Sequence, residues 1–122
     1  MKKELEILVV DDEAIIGESI KMLLGHAGHK VTHVANGEAA LAALALRKFD
    51  LVITDFLMPG MQGDELVASI RQLVPSQPII MVTAFLQEFK VFGRSSGHPD
   101  AILLKPFSLT DLHEAIERVV PH

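Results

Sequence analysis

The chain has 122 residues, 49% of them hydrophobic, no cysteine, and a net charge of −5 from 16 acidic against 11 basic residues. That length is enough for one α/β core and leaves no room for a second, and an acidic balance with scattered lysines and arginines disfavours direct nucleic-acid binding. No apolar run approaches the roughly 20 residues of a membrane span, and with neither a signal-peptide pattern nor a cysteine a cytoplasmic location is expected.

The first apolar run, Leu5 to Val10, stops at Asp11-Asp12. It is short, almost uninterrupted and rich in Ile, Leu and Val, as a strand covered on both faces would be. After Asp12, the positions Ile16, Ile20, Leu23 and Leu24 fall at i, i+4, i+7 and i+8, one apolar stripe of a helix that Gly28 would close as a C′ residue. Glu13 reads as a first-turn acid favoured by the helix dipole. Lys30 to Ala35 alternates more and carries His33, as an edge strand with a wetter face does. Asn36-Gly37 turns the chain into an alanine- and leucine-rich helix over Glu38 to Leu46.

A second buried run, Leu51 to Thr54, ends at Asp55, and a helix over Asp64 to Leu73 is closed by Pro75 and Pro78. A third run, Ile79 to Val82, ends at Thr83. Gln87 to Phe92 can wind, with Phe85, Phe89 and Phe92 as a buried stripe, while Gly93, Ser95, Ser96, Gly97 and Pro99 argue for an irregular approach to the next strand. Ala101 to Leu104 ends at Lys105, and Ser108 is an N-cap with Asp111 in the capping-box position of a helix through Leu112, Ile116 and Val119.

Strand and helix alternate throughout, which implies βαβ units with right-handed crossovers and one doubly wound, five-stranded parallel sheet covered on both faces. In such a sheet the strand ends meet in one crevice, so Asp11, Asp12, Asp55, Thr83 and Lys105 become one site. Three carboxylates there repel one another unless a cation sits among them, and an all-oxygen set favours Mg²⁺. Beside that ion Asp55 can attack phosphorus, with Lys105 as a point charge on a phosphoryl oxygen, Thr83 as a hydroxyl donor and small Ala84 leaving room.

In these residues the chain resembles the CheY-like receiver domains of two-component response regulators, over essentially its whole length. The resemblance rests on Val9-Val10-Asp11-Asp12-Glu13, on Asp55 followed by Met58-Pro59-Gly60 and Gly63, on Thr83-Ala84, and on Lys105-Pro106-Phe107. It implies a flavodoxin-like fold of strand order 2-1-3-4-5, and a single domain over residues 1–122 with no output domain present. It also implies that Asp55 accepts a phosphoryl group from a phosphohistidine of a sensor kinase or a histidine phosphotransfer protein. Mg²⁺ would be held by Asp11, Asp12, Asp55 and the main-chain carbonyl of Leu57. Thr83 would be the switch hydroxyl, Lys105 the phosphate-binding lysine, and Pro106 would follow a cis peptide. Such a domain signals to a downstream protein or a fused output domain, binds neither nucleic acid nor membrane directly, and catalyses only its own phosphorylation and dephosphorylation. Donors would dock near the first helix, whose outward residues include Ala14, Glu18 and Lys21.

Three departures accompany the match. Three residues before Lys105, where receivers usually carry an aromatic switch residue, stands Ile102; the switch then runs through Thr83 and the following loop or borrows Phe85 or Phe89. Gly-His-Pro-Asp precedes the last strand in place of the usual small residues. Leu57 and Phe85 stand where polar side chains often orient water, which predicts slow loss of the phosphoryl group.

Each of these residues also has a purely structural reading. Asp12 alone can be a helix cap, and Thr83 alone a strand-end hydroxyl. The histidines His26, His29, His33, His98, His113 and His122 show no ligand spacing and read as surface residues. A flavin or nucleotide site would need a phosphate-cradling loop where Asp11-Asp12-Glu13 stands, and an aspartyl phosphatase a second acid where Leu57 stands. The alternative to a phosphoacceptor is a receiver-like docking module that works without phosphorylation.

Overall fold

The computed structural model describes residues 4–84 and 98–121. Five strands, β1 (Glu6–Val10), β2 (Lys30–Val34), β3 (Leu51–Asp55), β4 (Ile79–Thr83) and β5 (Ala101–Leu104), pair in parallel in the order β2-β1-β3-β4-β5. The helices are α1 (Ala14–His26), α2 (Gly37–Leu46), α3 (Gly63–Leu73) and α4 (Leu109–Val119). This is the expected doubly wound, flavodoxin-like sheet, with boundaries within a residue or two of the sequence reading. The expected helix between Thr83 and Ala101, with Phe85, Phe89, Phe92 and Gly93, lies outside the described residues.

Alternation along each strand splits the core in two, because successive side chains leave opposite faces of a sheet. Ile7, Val9, Ile53 and Val82 pack with Ile20 and Leu24 of α1 and Leu112, Ala115 and Ile116 of α4. Leu8, Val10, Val52 and Met81 pack with Ala40 and Leu44 of α2 and Leu66, Val67 and Ile70 of α3. Each fully buried aliphatic side chain contributes about 1.5–3 kcal/mol by leaving water, so the three central strands anchor both layers. Among the described residues no helix is long and apolar enough to cross a membrane.

The helix ends follow local chemistry. At the end of α1, Gly28 adopts φ +98°, with Gly28 N donating to Gly25 O at 3.0 Å and His29 N to Leu24 O at 3.1 Å, a Schellman closure that a left-handed glycine permits. Asn36 caps α2 by accepting from Ala39 N at 2.8 Å. Ser108 and Asp111 form the expected reciprocal capping box on α4. Gln62 and Glu65 form a second box on α3, which the sequence reading did not anticipate.

Several expectations need correction. Leu23 is 44% exposed; the inward stripe of α1 is Ile16, Gly17, Ile20 and Leu24, since Leu23 lies about 100° from Leu24 around the helix. Glu13 is the N-cap residue of α1 and makes no side-chain cap bond, so neither it nor Asp12 serves as a side-chain cap. The strand β5 is not covered like the central ones: Ala101, Ile102 and Leu103 are half-buried and Leu104 is exposed, as befits a strand with one sheet neighbour. His33 is not a surface residue, its side chain being 9% exposed, because it shares the period-2 phase of Val31, which packs on the α1 layer.

Candidate functional site

The chain reverses its winding direction at β1, with β2 on one side and β3 on the other. Crevices at the carboxyl ends of parallel strands form at such a switch point. There stand Asp11, one residue past β1, and Asp55, the last residue of β3. Asp11, Asp12 and Asp55 each offer a carboxylate oxygen within 4.8 Å of the others, and Asp11 and Asp55 are buried while Asp12 is exposed. Three acids this close, all presenting oxygen, suit a hard divalent cation such as Mg²⁺.

Local structure pins each acid. Asp11 N donates to Val34 O at 3.1 Å, extending the β1–β2 ladder by one bond, and Asp11 Oδ1 accepts from Glu13 N at 2.9 Å, fixing the turn into α1. Asp55 Oδ1 accepts from Phe56 N at 3.0 Å and lies 3.3 Å from Lys105 Nζ. Gly63 N donates to Phe56 O at 2.8 Å, and a Cβ at Gly63 would overlap the Asp55 carbonyl oxygen. The start of α3 therefore presses directly on the end of β3, which only glycine allows.

On the other side, β4 ends in buried Thr83, whose carbonyl accepts from Lys105 N at 2.9 Å. That bond carries the β4–β5 pairing one step past Leu104 and delivers Lys105 to Asp55. The Lys105–Pro106 peptide is cis. Ala84 is exposed beside Thr83, and Leu57 is 43% exposed two residues after Asp55. Ile102 is half-buried in register with Met81, one strand away from β3, and Phe85 lies outside the described residues.

The electrostatics leave Asp55 under tension. Its pKa is raised above the ordinary 3.8, chiefly by burial; Lys105 opposes the rise and Asp11 adds to it. Among the described residues Lys105 is the one cation within ion-pair distance of the cluster, so three acids face a single positive charge. A cation among them would reverse the balance, since an opposite charge favours the ionised forms. Sequence reasoning found every acid and the lysine. It missed the histidine beneath them: His33 Nε2 lies 2.9 Å from the Asp11 carbonyl oxygen. The available signals were the strand phase of His33 and an isolated glycine, Gly17, inside a helix pattern.

The family profile described as the response regulator receiver domain matches residues 7–117. Chemotaxis protein CheY-3 of Vibrio cholerae serotype O1 is 32% identical over 122 residues, spanning 98% of this chain and 94% of that protein. Transcriptional regulatory protein ResD of Bacillus subtilis is 40% identical over 106 residues, spanning 86% of this chain and 43% of ResD. Among solved structures, chemotaxis protein CheY4 of Vibrio cholerae matches with a TM-score of 0.87 at 33% identity, covering 97% of this chain and all of that one. Response regulator TrrA of Thermotoga maritima, solved in complex with Mg²⁺ and BeF, matches at 0.84 and 33% identity over 94% of this chain and 98% of that one.

Proposed function

The chain belongs to the response regulator receiver domains, and from that membership we propose that it is the phosphoacceptor of a two-component relay, taking a phosphoryl group from a phosphohistidine onto Asp55. The observation that carries this is the convergence of Asp11, Asp12 and Asp55 within 4.8 Å with Lys105 Nζ 3.3 Å from Asp55. Residues 1–122 form one receiver domain in this reading.

An oxygen of Asp55 attacks phosphorus, the P–N bond to the donor imidazole breaks with its electron pair returning to the ring, and an acyl phosphate forms. Asp11, Asp12, Asp55 and the main-chain carbonyl of Leu57 would hold Mg²⁺, which when bound supplies charge neutralisation for the incoming phosphoryl oxygens. Lys105 holds its ammonium against Asp55 and passes to a phosphoryl oxygen once the acyl phosphate has formed. Thr83 donates its hydroxyl to another oxygen, Ala84 leaves space, and exposed Leu57 keeps attacking water away.

Signalling then runs through Thr83 and the loop that follows it, or borrows Phe85 or Phe89, because Ile102 stands where receivers usually carry the aromatic switch residue. Donors are a sensor kinase or histidine phosphotransfer protein in the cytoplasm, docking over α1, where Ala14, Glu18 and Lys21 are exposed. The receiver of the output is a downstream protein or a fused output domain.

Intact-protein mass spectrometry after incubation with Mg²⁺ and acetyl phosphate tests this, with Asp55→Asn as control. One phosphoryl adduct on the parent and none on the variant is expected. No adduct, together with no binding of Mg²⁺ or beryllofluoride, overturns the reading in favour of a docking module that works without phosphorylation.

A further inference from the structure

Buried between β2 and α1, the His33 ring touches two different elements. Nε2 lies 2.9 Å from the main-chain oxygen of Asp11, and Nδ1 lies 3.0 Å from Glu18 Oε2 on α1. A carbonyl oxygen only accepts, so Nε2 carries the hydrogen and donates. The ring fits because Gly17 has no side chain: a Cβ there would overlap Nε2 and the adjoining ring carbons. Gly17 costs helix propensity relative to alanine near the start of α1, and the space it leaves is filled by this ring.

With that contact, three polar groups of Asp11 are tethered: its N–H to Val34, its Oδ1 to Glu13 N and its carbonyl to His33. The carbonyl belongs to the peptide plane that joins Asp11 to Asp12, so fixing it sets where the Asp12 side chain leaves the backbone. Asp12 is the exposed member of the acidic trio and needs this support most. We propose that His33 is a positioning residue for the cation site, admitted by Gly17, which orients the Asp11–Asp12 peptide for Mg²⁺ without touching the ion. The proposal rests on the phosphoacceptor reading above.

The length of two side chains separates this role from general packing. Glutamine places an amide where Nε2 lies and keeps the donor to Asp11; asparagine reaches only as far as Nδ1 and keeps at most the Glu18 contact. Mg²⁺ affinity would be measured by isothermal titration calorimetry on the parent, His33→Gln and His33→Asn, with the phosphorylation rate taken at saturating Mg²⁺ and acetyl phosphate. Outer-shell partners of metal ligands typically matter by a factor of ten or more, and for a main-chain contact about three- to tenfold weaker binding is expected in His33→Asn. His33→Gln should recover most of the loss, and the saturated rate should hold within about twofold of the parent.

A double variant, Gly17→Ala with His33→Ala, removes the overlap and strengthens the helix. It should remain folded yet bind Mg²⁺ as weakly as His33→Asn. Equal affinity in the parent and His33→Asn, no recovery in His33→Gln, or an equal fall in the saturated rate each overturns the proposal while leaving the phosphoacceptor intact. A parent that binds no Mg²⁺ overturns the proposal, and one that also takes no phosphoryl group and binds no beryllofluoride overturns both.

Discussion

The two ends of the same sheet are built on opposite principles. Where the strands begin, charges are matched and tied to backbone. Arg71 donates to the carbonyls of Gln77 and His98 and to Asp100 Oδ2, and that same carboxylate accepts from Ile79 N at 2.8 Å at the first residue of β4. Asp50 Oδ2 accepts from Glu6 N at 2.8 Å, while Glu6 pairs with Arg47, which also reaches Thr32 and stacks over the Phe49 ring. Where the strands end, three acids crowd together with Lys105 as their cation, and burial holds the Asp55 pKa up. One end holds the fold; the other stores unfavourable charge that a cation and a phosphoryl group can relieve. In the phosphoacceptor reading, stability and reactivity then occupy separate ends of one rigid element.

The largest effect is expected at the stable end. Arg71→Ala strips donors from the carbonyls of Pro75, Gln77 and His98 and leaves half-exposed Asp100 without its cation, and about 2 kcal/mol of unfolding free energy should be lost. Urea denaturation measures it, and Mg²⁺-dependent phosphorylation of the folded fraction should be unchanged. A loss below about 1 kcal/mol would show that the network is ornamental.

At the reactive end the sign should invert. Asp55→Asn removes a buried charge that folding disfavours, so without Mg²⁺ the variant should gain about 1 kcal/mol at neutral pH, as functional sites cleared of strain commonly do. The folded-state pKa of Asp55 lies above its unfolded value, so the folded protein binds the proton more tightly. Stability of the parent therefore falls as pH rises from the ordinary 3.8 through the raised value, and the whole penalty is present above that window. The advantage of Asp55→Asn should vanish below about pH 4 and shrink when Mg²⁺ is added. Melting curves across pH test this, and a variant less stable than the parent at neutral pH would refute it.

The smallest effect is expected at the rim. Leu57→Asn offers a polar group beside Asp55 and should shorten the acyl phosphate lifetime by about threefold, followed by the decay of the phosphoryl adduct in mass spectra. An unchanged lifetime would remove Leu57 as a water shield.

Much of this molecule was legible in its sequence because the signals were local. The apolar runs, their period, and caps such as Gly28 and Ser108 concern residues within one turn or one strand. Acids and the lysine at run ends needed one further rule, that parallel strands finish on the same side. What the sequence could not carry was distance between elements. That His33 lies on the Asp11 carbonyl depends on how closely α1 crosses β2, which Gly17 permits; that Arg71 gathers the starts of β4 and β5 depends on where α3 stops. A histidine or arginine looks the same in a sequence whether water or a carbonyl lies beside it. Composition and periodicity thus determined the sheet, its layers and the end at which the acids and the lysine gather. Only the tertiary structure decided which polar groups meet, because hydrogen bonds act over about 3 Å, while the spacing of packed elements is fixed by all the side chains between them.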